Sequence, residues 1–207
     1  MVIEKVLNDI PLLETDRLLL RKIKLKDLDD IFEFSSDTEV AHHMTWEVNK
    51  SKEETLNNFV NIVLEEYKKG QSADWAIVHK ESQKVIGTCA FVSWSNQHSK
   101  AEIGYVLNKN YWGHGFATEA LKRLIKFGFE GTTLNRIEGG CDTDNIGSEN
   151  VMLKAGMKFE GILRKNEFIK GEFRDTKVFA ILREDYMSNH ENEEMLTGGN
   201  VSNVYRS

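Results

Sequence analysis

Apolar residues recur along this chain with two different periods, and the changes between them divide it into elements. Residues 12–24 interleave Leu18, Leu20 and Ile23 with charge and read as an N-terminal strand. A short helix is expected over Leu25 to Phe34, with Leu28, Ile31 and Phe32 at helical spacing and Asp27, Asp29 and Asp30 in its first turns, where the helix dipole favours acids. Glu39 to Lys50 is less regular. Ser51-x-x-Glu54 then has the form of a capping box, and Leu56, Phe59, Val60, Val63, Leu64 and Tyr67 repeat on one helical face until Gly70 stops them. From there the period falls to two. Asp74–His79 and Lys84–Trp94 read as a hairpin around Lys80–Gln83, and Ala101–Leu107 as a third strand. Gly113-His114-Gly115 leads into a helix with Ala117, Leu121, Leu124, Ile125 and Gly128 on one face. A strand near Asn135–Cys141, a short helix at Ser148–Lys154 and two closing strands at Met157–Ile169 and Glu172–Leu182 complete the pattern. The order β-α-α-β-β-β-α-β-α-β-β is an α/β (α+β mixed) arrangement, and its central β-α-β unit implies one parallel pair within a mixed sheet.

Composition narrows the picture. The 207 residues carry 27 Lys+Arg against 33 Asp+Glu, a net charge of -6, which argues against a dedicated nucleic-acid binder and leaves cationic substrates compatible. Cys89 and Cys141 stand far apart, outside any CxxC, so no disulfide framework or zinc knuckle is expected and a reducing cytoplasm is the expected setting. No apolar run approaches the roughly 18 residues of a membrane span, and Met1-Val2-Ile3-Glu4-Lys5 lacks the order of a signal peptide. With one proline and 15 glycines, turns must rely on Gly, Asn and Asp. One globular domain is expected over 12–186, with an arm at 1–11 and a polar, flexible tail at 187–207.

The segment from Ala101 to Ala120 carries the chemistry. It runs strand, two-glycine turn, helix, and a helix N-terminus leaves backbone N–H groups unpaired while small residues before it admit a phosphate closely. It therefore reads as a phosphate cradle, against the plain alternative of a tight strand-to-helix turn. No Gly-Lys-Ser/Thr follows, which excludes a P-loop. A dinucleotide fingerprint is disfavoured because Thr118 stands at the third glycine position and the motif lies mid-chain after hairpin-like strands, although Glu138 lies about 20 residues on.

Tyr105-Val-Leu107, Trp112-Gly-His-Gly-Phe-Ala-Thr-Glu-Ala120 and then Asn145-Ile-Gly-Ser-Glu-Asn150 through Lys154-Ala-Gly-Met-Lys-Phe-Glu-Gly161 resemble motifs A and B of the GNAT superfamily of acetyl-CoA-dependent N-acetyltransferases. The start at Glu14-Thr-Asp-Arg-Leu-Leu-Leu-Arg21 and the Trp-Gly-x-Gly-x-Ala-Thr-Glu-Ala form resemble its RimJ/RimL branch, which acetylates ribosomal-protein N-termini. The likeness covers about residues 12–186. It implies the GNAT fold: a mixed sheet of about seven strands splayed around acetyl-CoA, with about four helices. It also implies that the N–H groups of Gly113, Gly115 and Ala117, with the Thr118 hydroxyl, hold the pyrophosphate in a loop completed by Trp112, His114 and Phe116. Trp112 stands where the superfamily usually has Gln or Arg, which removes one polar phosphate contact. Tyr105 and Leu107 are expected to pair with the pantetheine arm, and Asn145 to touch it.

The same resemblance assigns catalytic roles. Ser148 corresponds to a proton donor for the leaving thiol, with the N-cap of the following helix as its structural alternative. Glu167 corresponds to a general base, Glu102 is its rival and Glu138 a third. The motif B tyrosine of many members is absent, since Met152-Leu153 precedes Lys154, and this adds weight to Ser148. Trp46 and Tyr111 are candidates for the acceptor groove, and the His42-His43 pair lacks a metal-ligand spacing, so no metal is expected. The expected reaction is direct acetyl transfer to a primary amine, favouring a protein N-terminus of the ribosomal type. A small amine such as a polyamine, amino acid or antibiotic, or a non-catalytic CoA-binding module, are the alternatives. No nucleic acid or membrane partner is expected, and homodimerisation is an expectation from fold analogy alone.

Overall fold

The computed structural model describes residues 9–188. Its strands are β1 (Leu13–Glu14), β2 (Leu18–Arg21), β3 (Asp74–His79), β4 (Val85–Ser95), β5 (Lys100–Leu107), β6 (Arg136–Asp142), β7 (Lys158–Ile169) and β8 (Glu172–Leu182). The helices are α1 (Leu28–Ser35), α2 (Thr38–His42), α3 (Lys52–Thr55, then a π-helical stretch Leu56–Val60, then Asn61–Lys69), α4 (Phe116–Gly131) and α5 (Ile146–Lys154). A helical turn over 183–188 follows β8. The arm before residue 9 and nearly all of the tail expected from 187 lie outside the described residues.

The strands form one sheet in the order β1-β2-β3-β4-β5-β6-β8-β7, antiparallel throughout except for β5 and β6. It is covered on both faces. Trp75 and Ile77 of β3 join the core under α4 with Phe91, Leu121, Leu124, Phe129 and Phe179, while Ala76 and Val78 join the core under α1 and α3 with Ile31, Phe34, Val60 and Val63. The alternation along β3 thus feeds two apolar layers, and its residues read as a continuous apolar run for that reason. Each large side chain so buried contributes about 1.5–3 kcal/mol relative to exposure.

Three local features differ from the sequence expectation. Residues 12–24 form a hairpin rather than one strand, giving eight strands instead of about seven among the described residues. Leu13 pairs with Leu20 and Glu14 with Leu19 around a turn in which the Thr15 hydroxyl accepts the Leu18 N–H at 2.9 Å. The irregular stretch after Glu39 includes most of α2, a fifth helix capped by the Asp37 carboxylate on the Glu39 and Val40 N–H groups. Only half of the Ser51/Glu54 box forms: Ser51 caps the Glu54 N–H, but the Glu54 carboxylate reaches back to the Lys50 N–H instead.

The decisive feature lies mid-sheet. β5 and β6 pair over three residues only, Lys100–Glu102 against Arg136–Glu138. Glu138 accepts from Lys100 Nζ at 2.7 Å and Arg136 Nε at 2.8 Å, clamping the closed end. Beyond it β5 stays with β4 as far as Leu107, and β6 stays with β8 as far as Asp142, so the sheet splits. A bulge at Val92, between the pairs Phe91–Ile103 and Ser93–Glu102, bends β4 and β5 where the parting begins.

Candidate active site

β5 ends at Leu107, and the chain folds back through Lys109–Tyr111 to the glycine turn that opens α4. The Trp112 indole donates to the Leu107 carbonyl at 2.8 Å and closes this return. Gly113 and Gly115 have φ of +75° and +79°, and a Cβ on Gly113 would meet nothing within 4 Å, so the requirement is backbone conformation rather than room. No side chain caps α4. Its first N–H groups therefore stand open at the positive end of a sixteen-residue helix dipole, an arrangement that receives a diphosphate.

The wedge opens into two clefts. The larger, about 690 Å³, is lined by Leu107, Trp112, Gly113, Gly115, Ala117 and Thr118 on one wall and by α5 residues on the other. The smaller, about 430 Å³, is lined by Glu102, Gly104, Glu138, Cys141 and Glu167 with Thr45. Tyr105, Asn145, Ser148, His43 and Met44 line both and mark where they meet. The β5 backbone faces this junction. Asn108 N–H donates to Ile86 on β4, so by the alternation of an antiparallel ladder the N–H and C=O of Tyr105 and the N–H of Leu107 turn to the β6 side, where strand pairing has ended. An extended arm can pair there as an added strand would. The open edge, the uncapped α4 and the size of the larger cleft together fit an acetyl-CoA molecule.

Ser148 sits in the first turn of α5, yet it is not the cap. Asn145 Oδ1 accepts the Ser148 N–H at 2.9 Å and does that work, leaving the Ser148 hydroxyl free for the junction. It lies 2.7 Å from the Tyr105 hydroxyl, which also donates to the Ser148 carbonyl at 3.1 Å. Burial pushes the Tyr105 hydroxyl well above its ordinary range, so it remains a protonated hydrogen-bonding partner. Burial also pushes the Cys141 thiol up to about 11, against a smaller opposing effect of Ser148. That thiol is a neutral wall, not a nucleophile at neutral pH.

Four carboxylates line the smaller cleft, and one of them, Asp142, is taken up by Arg174, whose Nη1 donates to its Oδ2 at 2.8 Å. Burial works to raise Glu138, but hydrogen bonds from Lys100 and Arg136 outweigh it and hold the carboxyl below the usual range, which makes it a poor base. Glu102 accepts from the Ser93 hydroxyl at 3.1 Å, and Glu167 lies 3.5 Å from Thr176 Oγ1; neither has a cationic partner among the described residues. Glu167 follows an outward bulge in β7, where Leu163 pairs with Thr176 and Glu167 with Arg174, and this irregularity turns its carboxylate into the cleft.

Not every expected residue gathers here. Trp46 is half-buried and lines neither cleft; Met44 and Thr45 take the place expected for it. Tyr111 lines the larger cleft and packs on His79 and Phe116, so it belongs to the loop side rather than the acceptor side. His114 is exposed and lines neither cleft, its Nδ1 held 2.7 Å from the Trp112 carbonyl. The fold also brings His42, His43 and Asp144 within 4.8 Å of one another, a cluster of potential ligand atoms that spacing alone does not reveal. Two contributors were missed. The Tyr105 hydroxyl acts across 43 residues of sequence with no local signal. Gly104, where a Cβ would stand 2.9 Å from Val92 Cγ1, had one, since a glycine inside a strand marks close approach.

Residues 17–158 match the family model described as an acetyltransferase (GNAT) domain. The chain is 38% identical over 176 residues to the uncharacterized N-acetyltransferase p20 of Bacillus licheniformis, covering 84% of this chain and 97% of that protein. It is 32% identical over 104 residues to the ribosomal-protein-serine acetyltransferase of Escherichia coli, covering 50% and 58% of the two chains. It is 25% identical over 174 residues to the spermidine N(1)-acetyltransferase of the same species, covering 83% and 89%. With the split sheet, the uncapped glycine turn and these relationships in hand, the chain belongs to the GNAT family of N-acetyltransferases.

Proposed function

We propose that this acetyltransferase acts on the α-amino group of a polypeptide N-terminus, of the ribosomal-protein type, by direct attack of the amine within a ternary complex. The observation that carries the reading is the junction itself: Tyr105 and Ser148 stand where the two clefts meet, and the unpaired carboxylates Glu102 and Glu167 line only the smaller one. Bound acetyl-CoA supplies an activated acetyl thioester. Gly113, Gly115 and Ala117 hold its diphosphate through backbone N–H groups, with the Thr118 hydroxyl beside them, and the free backbone edge at Tyr105 and Leu107 orients its arm and polarises the carbonyl. Glu167 takes the amine's proton and the Ser148 hydroxyl, backed by Tyr105, delivers one to the departing sulfur. An α-amino group of pKa about 7.7–8.0 needs little help to deprotonate, whereas a lysine near 10.4 needs far more, which suits a site whose best base is one carboxylate. The similarity to the ribosomal-protein-serine acetyltransferase supports this acceptor. We place the catalytic unit at residues 12–186 and the reaction in the cytoplasm, in keeping with two free cysteines, Cys89 and Cys141.

The acidic acceptor cleft also favours a second reading, a small polyamine, in line with the spermidine N(1)-acetyltransferase similarity. Mass spectrometry of acetyl transfer to ribosomal N-terminal peptides, polyamines, amino acids and aminoglycosides separates the two. Acetylated peptides are the expected products, and transfer confined to small amines would overturn the peptide assignment. For the base, Glu167→Gln is expected to lower kcat/KM by about 10²-fold and flatten the acidic limb of its pH profile. An unaltered profile in that variant would move the role to Glu102 or to water.

A further inference from the structure

The β1–β2 turn lies against the first turn of α4, and Arg17 is the residue that joins them. All three of its guanidinium nitrogens are engaged. Nε and Nη2 reach Glu119 Oε2 at 2.7 and 2.6 Å, Nη1 donates to the His114 carbonyl at 3.0 Å, and Cζ stands 4.3 Å from the centroid of the Phe116 ring. The other Glu119 oxygen accepts from the Thr15 hydroxyl at 2.6 Å and the Arg17 N–H at 3.0 Å. Burial works to raise the Glu119 carboxyl, but these hydrogen bonds outweigh it and keep the group below the usual range, so it carries its full charge.

That charge poses a problem for the loop. A carboxylate in the first turn of a helix stabilises the helix but repels a diphosphate approaching the same N-terminus. Arg17 offsets it and draws it to one side. The guanidinium also sets the geometry of the turn. A trans peptide points its C=O and N–H in opposite directions, so tying the His114 carbonyl to Arg17 aims the Gly115 N–H away from the guanidinium. Gly115 lines the larger cleft and Arg17 lines neither, which leaves that N–H on the ligand's side.

We infer that Arg17 is a positioning residue for the donor's pyrophosphate: without touching the ligand, it neutralises Glu119 and locks the His114–Gly115 peptide so that the N–H faces the phosphate. The inference rests on the glycine turn being the pyrophosphate seat and is independent of which amine is acetylated. It concerns a planar, multiply bonded guanidinium, and a lysine cannot reproduce the three directed contacts.

The test is calorimetric and needs no acceptor, so a wrong acceptor assignment leaves it intact. CoA, dephospho-CoA and pantetheine are titrated into the wild-type chain and into the Arg17→Ala, Arg17→Lys and Arg17→Ala/Glu119→Gln variants. Arg17→Ala is expected to weaken CoA and dephospho-CoA alike by about 10- to 100-fold, the scale of a lost charge-assisted hydrogen-bond set, and to leave pantetheine unchanged. Arg17→Lys recovers little, and removing the Glu119 charge in the double variant recovers part. Equal losses for pantetheine and CoA would assign Arg17 a general folding role. A loss seen with CoA but not dephospho-CoA would place its partner at the 3′-phosphate. Unchanged CoA affinity in Arg17→Ala overturns the inference outright. Should Arg17→Ala fail to fold, Arg17→Gln keeps a donor within reach of the His114 carbonyl and lacks the charge. It is then expected to weaken CoA and dephospho-CoA selectively, with unchanged CoA affinity again overturning the inference.

Discussion

Ser148→Ala lowers kcat for acetyl transfer by about 10²- to 10³-fold while the KM for acetyl-CoA changes little, if the hydroxyl delivers the proton to the leaving sulfur. The lower part of the usual range for general acids is expected because a thiolate of pKa about 8.5 is already a tolerable leaving group. The variant is a clean probe because Asn145, not Ser148, caps α5, so the substitution removes no cap and leaves the helix start intact. Tyr105→Phe is expected to fall by a comparable factor, because its hydroxyl stands 2.7 Å from Ser148 Oγ and both belong to one hydrogen-bonded unit. The double variant then loses about as much as the worse single one, the non-additivity of groups that act together. Steady-state kinetics with thermal melts as a control reads all three. A lowered melting temperature with unchanged kcat would make the pair a structural contact between β5 and α5 and nothing more.

Gly87→Ala has the largest expected effect on the fold. Gly87 pairs with Leu107, and a Cβ there would stand 2.2 Å from the Val106 carbonyl oxygen and 3.0 Å from the Leu107 Cα. Both neighbours are backbone atoms, so no rotamer change relieves the clash and β4 must part from β5. The cost is about 3 kcal/mol or more, a large share of the 5–15 kcal/mol that holds a typical domain together. At roughly 2–4 °C per kcal/mol for a chain of this size, the melting temperature falls by about 6–12 °C. The displaced segment also carries the Leu107 N–H of the open strand edge and the Trp112 anchor, so the surviving enzyme shows a raised KM for acetyl-CoA. A melt unchanged within a degree would contradict the close approach of the two strands.

What could be read beforehand is what short-range pattern encodes. The period-two runs of β3 to β5, the helical face of α3 and the Gly113/Gly115 turn announce themselves because each depends on residues within one turn or one pleat. The β1–β2 hairpin hid because its turn, Thr15-Asp16-Arg17, contains neither glycine nor proline and is closed by a threonine hydroxyl. The capping role offered as the alternative for Ser148 falls to Asn145, because both are good capping residues three positions apart and only coordinates tell which one sits outside the helix. Trp46 and Tyr111 were aromatic residues beside the right segments, but whether a ring faces a cleft or a neighbouring layer depends on tertiary packing. The contact between Tyr105 and Ser148, and the wrapping of Glu119 by the β1–β2 turn, join segments 43 and 102–104 residues apart, beyond the reach of any local signal.

The three-residue junction between β5 and β6 has a bearing on how the molecule holds together. Strands β1 to β5 and strands β6 to β8 each complete their ladders within themselves, and the strand ladder that joins the two blocks is three residues long. The core under α4 is shared by both blocks, so the short ladder is a local weak point in one cooperative core, where opening costs least. A ligand lying along the split supplies the missing cross-links, so it acts on the stability of the whole chain as well as on one site. At 100 times its dissociation constant it adds about 2.7 kcal/mol by mass action. The resting protein and the donor-loaded protein then differ in cohesion: the unpaired amides of Tyr105 and Leu107 exchange readily in the first and only on donor release in the second.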